Sequence, residues 1–229
     1  MTSPDIVFDY ERGERIGLDE AVFCAGKSPA QISAILSQAA ERGRGLLLTR
    51  LDADGLAQLP PDQAGALDYC AMSRTAFFGP LRPVTSRGWV AIVAAGTSDA
   101  VVAREAERTL RHAGIEAALI LDVGVAGLWR LLERIDEIRG FPVVIAVAGM
   151  DAAIASVLGG LLRGTIICVP TSVGYGAAEA GRTALNAMLS SCAPGLLTCN
   201  IDSGYGAACA AIRILNSFPD AQQDPSRGS

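Results

Sequence analysis

Histidine is nearly missing from this chain: His112 is the one imidazole in 229 residues. A Ser-His-Asp triad is thereby excluded, and His112 itself falls late in a helical segment, where an exposed position is expected. What remains for acid–base work is carboxylate, and for soft nucleophilic attack thiol. Aromatic residues make up only 5% of the sequence, whereas alanine and glycine abound, a composition suited to helices packed closely on a sheet. No basic tract occurs in a chain of net charge -5 and pI near 4.9, which argues against a nucleic-acid partner. An anionic ligand would have to be held by backbone N–H groups and a few local arginines, against the overall field. No apolar run is both long enough and free enough of glycine to span a membrane, and the opening MTSPDIVFDYERGER is polar and acidic, unlike a secretion signal. The cysteines form no CxxC pair, and Cys168 and Cys199 sit inside apolar runs, so neither a disulfide scaffold nor a zinc site is expected. These features together predict a cytoplasmic, reducing setting.

Half of the residues are hydrophobic, enough for one large domain or one medium and one small. The stretch Trp89–Ala100, WVAIVAAGTSDA, organises the larger part. Its apolar run reads as a buried strand, Gly96 allows a sharp turn, and Ser98 or Asp99 can cap the helix that follows. Strand, tight turn and helix N-terminus together make an anion site, because free N–H groups and the positive end of the helix dipole converge. Similar turns recur four more times. Strands are predicted near 90–95, 115–121, 142–148, 165–169 and 196–200, and helices near 100–113, 127–138, 152–163, 177–190 and 205–216. This alternation predicts a doubly wound α/β domain, a parallel sheet in flavodoxin-like order 2-1-3-4-5 with helices on both faces.

Residues 1–85 differ in composition and predict a small α+β domain. Short strands are expected at Ala21–Ala25, Gly45–Leu51 and Cys70–Phe78, with a helix over Ala30–Arg42 that starts from a Ser28-Pro29 cap and a Gln31 capping box. Pro60-Pro61 marks a loop, and Gly79–Gly88 a linker. Residues 86–218 form the larger domain, and the polar tail 219–229 is expected to be disordered. Gly26-Lys27-Ser28 lacks the upstream glycine of a phosphate-binding loop, so hydrolysis of that type is discounted. Lys27, Arg12 and Arg15 are either reaching cations or an ordinary charged surface.

In an open parallel sheet, ligands bind at the carboxyl ends of the strands. Those ends carry Gly96–Asp99, Asp122-Val123-Gly124, Gly149-Met150-Asp151, PTSVGYG at Pro170–Gly176 and NIDSGYG at Asn200–Gly206. The candidate substrate-binding residues are therefore Gly96, Thr97, Ser98, Gly149, Met150, Thr171, Ser172, Tyr175, Asn200 and Asp202. The candidate acids and bases are Asp99, Asp122 and Asp151. Each has a plainer reading: the acids as helix caps, Thr171 and Ser172 as loop braces, Tyr175 as packing.

These same segments carry a resemblance. Gly96–Asp99, AGMDAAIASVLGGL, VPTSVGYGAAEAGRTALNAMLSSCAPG and NIDSGYGA resemble phosphoribosylaminoimidazole carboxylase, the PurE-type fold. They are closer still to its relative LarB, the pyridinium-3,5-biscarboxylic acid mononucleotide synthase of nickel-pincer cofactor biosynthesis. The N-terminal FDYERGERIGLDEAVFCAGKSPAQI resembles the second family too, which extends the match over nearly the whole chain. The resemblance implies nicotinic acid adenine dinucleotide and CO2 or bicarbonate as substrates, carboxylation at C5 of the pyridinium ring, and phosphoanhydride hydrolysis releasing AMP. It implies Mg2+, no organic cofactor, Cys192 as nucleophile, and a homo-octamer or other homo-oligomer. Two departures stand out. The purine enzyme's catalytic histidine has no counterpart in Gly149–Ser156, and Asp151 and Ala155 replace a glutamate and a proline of the LarB-like pattern. A purine-pathway carboxylase and a non-catalytic nucleotide-binding module are the alternative readings.

Overall fold

The computed structural model describes residues 6–218. The tail expected to be disordered, 219–229, lies outside the described residues. The N-terminal module opens with α1 (Arg12–Ile16), β1 (Val22–Phe23) and α2 (Pro29–Glu41). Ser28 caps α2 as its sequence predicts: the hydroxyl accepts from the Gln31 N–H at 3.2 Å and the Gln31 side chain accepts from the Ser28 N–H at 2.9 Å. There follow β2 (Leu46–Thr49), the short helices α3 (Ala53–Ala57) and α4 (Pro61–Gly65), β3 (Leu67–Cys70) and β4 (Thr75–Phe78). The strand expected over Cys70–Phe78 is thus the second arm of a hairpin. Arg74, with φ 52°, interrupts the extended backbone, and Ser73 and Thr75 share a buried hydroxyl hydrogen bond of 2.8 Å there. The sheet runs β1-β2-β4-β3, with β1 parallel to β2 and the other pairs antiparallel. Ile32, Ile35 and Leu36 of α2 close its core over Val22, Leu46 and Leu48.

The larger domain begins with β5 (Ser86–Ala94), a few residues earlier than the apolar run alone indicates. Gly88, at φ 70°, absorbs a register shift between Ser86 and Val90, so the strand continues through a segment that reads as linker. Then come α5 (Ala100–His112), β6 (Ile115–Ile120), α6 (Leu128–Arg139), β7 (Val143–Ala148), α7 (Ala153–Leu161), β8 (Thr165–Pro170), α8 (Arg182–Leu189), β9 (Leu197–Thr198) and α9 (Gly204–Asn216). All five strands are parallel, in spatial order β6-β5-β7-β8-β9. In order of occurrence this is 2-1-3-4-5, the flavodoxin-like winding. Helix α8 starts later than expected because Ala180, at φ 57°, breaks the preceding 3-10 turn over Gly176–Gly181.

Strand periodicity divides the core. Val90, Ile92 and Ala94 of β5 face α5 and α9, packing on Ala103, Leu110 and Ala211. Ala91 and Val93 face the opposite layer, against Leu131 of α6, Leu158 of α7 and Met188 of α8. All five residues Val90–Ala94 have zero exposure, as a central parallel strand requires. Among the described residues, no helix is long and apolar enough to cross a membrane.

His112 departs from expectation: it is buried, not exposed. The last turn of α5 packs on the N-terminal module, where the His112 ring lies 6.2 Å from that of Phe77, and burial lowers its pKa. The same seam carries the Arg108 guanidinium 3.9 Å over the Phe77 ring and 3.2 Å from Asp68. Arg15 pairs with Asp9, leaving it tied to its own module's surface.

Candidate active site

The turns leaving β5, β6 and β7 and the loop leaving β8 surround a cleft of about 750 Å³ at the carboxyl edge of the sheet. Its first wall is the turn Gly96–Asp99. Asp99 is only 4% exposed and holds that turn closed: one carboxylate oxygen accepts from the Gly96 N–H at 2.9 Å and the other from the Thr171 hydroxyl at 2.6 Å. Burial raises the Asp99 pKa, with the Thr171 and Gly96 hydrogen bonds working against it. The hydroxyl residues Thr97 and Ser98 are exposed on the same turn.

Asp122 faces the cleft from the turn after β6, in the left-handed conformation at φ 59°. Arg130, on the first turn of α6, pairs with it at 2.8 Å. The third wall is Gly149-Met150-Asp151-Ala152. Gly149 is required there because a Cβ would stand 2.3 Å from the Val173 carbonyl oxygen. Met150 and Ala152 are both left-handed, at φ 56° and 52°, and Asp151 accepts from the Ala153 N–H at 3.2 Å. Asp151 thus reaches the first N–H of α7 from one position before the N-cap, Ala152, which carries no side-chain cap, and its carboxylate also borders the cleft.

Gly96, Thr97, Ser98, Asp99, Asp122, Gly149, Met150 and Asp151 thus meet on one surface. The remaining sequence candidates lie elsewhere. Thr171 is fully buried behind Asp99. Ser172 and Asp202 border a neighbouring hollow, where the Asp202 carboxylate accepts from the Ser172 N–H at 2.8 Å. Tyr175 is 78% exposed, and Asn200 folds its side-chain oxygen onto the Ile201 N–H at 2.9 Å.

Cys192 is exposed and does not line the cleft. It follows α8, which runs back from the loop after β8, and it precedes β9, so it lies toward the amino ends of the strands. Ser191 beside it bonds Ser156 of α7 at 2.7 Å, and the absence of a side chain at Gly159 lets Ala193 approach that helix. Burial pushes the Cys24 and Cys168 thiols to about 12, and raises those of Cys199 and Cys209.

Sequence reading missed three arginines. Arg130 pairs with an aspartate eight positions earlier, across an irregular turn between β6 and α6 where no single period connects the two. Arg50 and Arg74 come from the other module, although Arg50 does directly follow an apolar strand. Left-handed non-glycine residues cluster on this edge: Asp122, Met150 and Ala152 line the cleft, and Arg50, Arg74 and Asp202 the hollow beside it. Such strain persists where surrounding contacts fix it, and it gathers at working sites.

Comparison with known proteins agrees with this architecture. The family model described as AIR carboxylase matches residues 89–224, and the chain belongs to that family. A second model, the LarB/PurE-like N-terminal domain, matches residues 6–79, so the protein has the LarB-like order of domains within a LarB/PurE-like carboxylase family. An uncharacterized protein of Methanocaldococcus jannaschii is 44% identical over 126 residues, covering 54% of this chain and 48% of the relative. The chain thus matches about half the length of that relative.

Proposed function

We propose that the protein carboxylates C5 of the pyridinium ring of nicotinic acid adenine dinucleotide and cleaves its phosphoanhydride, yielding pyridinium-3,5-biscarboxylic acid mononucleotide and AMP for nickel-pincer cofactor biosynthesis. The observation that carries this reading is a LarB-type module joined to a carboxylase domain whose cleft offers carboxylates and no imidazole. The single histidine is buried against Phe77, which disfavours a purine carboxylase relying on one.

A pyridinium is electron-poor and does not attack CO2. Addition of the Cys192 thiolate to C4 converts it to a neutral dihydropyridine in which C5 is enamine-like. The C5 electron pair then forms the new bond to CO2. A carboxylate removes the C5 proton, and expulsion of the thiolate from C4 restores aromaticity. Asp122 or Asp151 serves as that base. Asp99, with both oxygens engaged, instead holds the turn that receives ribose and phosphate.

Among the described residues, no three His, Cys, Asp or Glu side chains gather as a metal cage. The donor set fits Mg2+ that arrives with substrate phosphates, since this ion is commonly held by one or two carboxylates plus phosphate oxygens. Whichever of Asp122 and Asp151 does not serve as the base would hold it, and the chemistry it would supply there is neutralisation of phosphate charge.

Cys192 is supplied by a neighbouring copy in this reading. The six residues of β8 separate the two edges of the sheet by roughly 20 Å, more than one pyridinium ring bridges. A closed homo-oligomer, an octamer by family resemblance, brings another subunit's thiol to the cleft. Exposed Trp129 and Leu132 on α6 give such a contact apolar surface.

The test is mass spectrometry of products from nicotinic acid adenine dinucleotide, isotopically labelled bicarbonate and Mg2+. Label in a biscarboxylated mononucleotide, with release of AMP, is expected. Label appearing instead in aminoimidazole ribonucleotide offered under the same conditions would establish the purine reaction, which the AIR carboxylase match keeps as the second reading.

A further inference from the structure

Ser98 and Val173 border the active-site cleft on the side of the N-terminal module. These two residues also line a second hollow of about 150 Å³, whose far wall is the N-terminal module. Arg50 leaves the end of β2 and Arg74 enters β4, the two backbones joined by the Leu51 N–H donating to the Arg74 carbonyl at 2.9 Å. Both arginines are left-handed, at φ 56° and 52°.

Charge accounting separates their roles. Two acids face the hollow, Glu105 and Asp202. Glu105 is engaged on both oxygens, by Arg50 at 3.5 Å and by the Tyr205 N–H at 3.2 Å. The Asp202 carboxylate accepts from the Ser172 N–H at 2.8 Å, and its carbonyl accepts from Arg50. Arg50 is therefore a strut from the N-terminal module to α5 and the head of α9. Arg74 has no carboxylate within ion-pairing distance among the described residues. Ser98 and Ser172 line the same space. The lining charges, Arg50 and Arg74 against Glu105 and Asp202, sum to zero, but the Arg74 guanidinium is paired with neither acid, and beside two serines it fits phosphate oxygens.

We propose that this hollow is a phosphate subsite holding the adenylate side of a dinucleotide, with Arg74 as its binding cation and Ser98 and Ser172 as supporting donors. The assignment rests on the dinucleotide reading above. The two phosphates of a phosphoanhydride share a bridging oxygen, so their sites must be adjacent, and these two hollows have Ser98 and Val173 as common walls. A mononucleotide substrate leaves this subsite idle, so the N-terminal module becomes the element that selects a dinucleotide.

Calorimetric titration of the full chain with AMP, inorganic phosphate and nicotinic acid mononucleotide tests this. Arg74→Ala is expected to weaken AMP binding at least tenfold and to leave mononucleotide affinity within twofold. Arg74→Gly, which relieves the left-handed backbone while removing the same charge, is expected to match it, and Arg74→Lys to recover part of the loss. Unchanged AMP affinity in both neutral variants, or equal losses for AMP and mononucleotide, would overturn the subsite. AMP binding no tighter than inorganic phosphate would overturn its adenylate assignment. If the wild-type protein fails to carboxylate the dinucleotide, the reaction falls while the AMP titration still decides whether the subsite exists.

Discussion

Replacing Thr171 with valine removes one hydroxyl from the interior and nothing else of comparable size. Its oxygen donates to Asp99 at 2.6 Å, in a setting where Thr171 has no exposure and Asp99 has 4%. Hydrogen bonds to charged groups contribute about 1.5–3 kcal/mol, and the orphaned oxygen has no solvent to turn to. We therefore expect Thr171→Val to lower unfolding free energy by about 2 kcal/mol near neutral pH. The pH dependence distinguishes this cause from simple repacking. Burial already raises the Asp99 pKa above its ordinary value, so the folded state binds this proton more readily than the unfolded state. That contribution favours folding below the unfolded pKa and is lost as pH rises through the folded one. Thr171→Val removes a bond that favours the anion, raises the folded pKa further, and extends this window upward. Urea unfolding of both proteins between mildly acidic and neutral pH should show the penalty shrinking as Asp99 becomes protonated. A penalty independent of pH, or one below about 0.5 kcal/mol, would refute the claim that a charged Asp99 depends on this bond.

Cys192→Ser is expected to abolish carboxylation with an unchanged melting temperature, checked by product analysis beside thermal unfolding; normal turnover would remove covalent catalysis. Asp99→Asn and Asp122→Asn are each expected to lower kcat/KM at least tenfold, about 1.4 kcal/mol of barrier, and wild-type kinetics in both would move the active site off this edge. Mixing Cys192→Ser with Asp122→Asn, under conditions that exchange subunits, should restore up to about a quarter of the sites, because each productive site needs an intact cleft from one copy and a thiol from another. No recovery after verified exchange would contradict the shared site.

Much of the architecture was legible in the residue order. Buried parallel strands appear as apolar runs such as Val143–Ala148, and each ends at a turn rich in glycine and polar residues. Strand alternation and those turns were sufficient to predict the winding 2-1-3-4-5 and the edge that carries Gly96–Asp99, Asp122 and Asp151. The hairpin Leu67–Phe78 was not legible, because its turn holds no glycine or proline and Arg74 adopts the left-handed conformation through tertiary contacts. Side-chain partnerships needed the fold as well. Asp99 and Thr171 are separated by 72 positions and Arg50 lies in a different module from Glu105, so no local period connects either pair. The burial of His112 has the same origin: its helix predicts one face toward the sheet, but only docking of Phe77 from the N-terminal module covers the remainder. Local sequence determined where chain segments extend, coil and turn, since those choices depend on neighbours within a few residues. Which charges are neutralised, which donors remain open and which thiols are sealed was decided by tertiary packing, because each depends on residues that meet only after both modules have folded together.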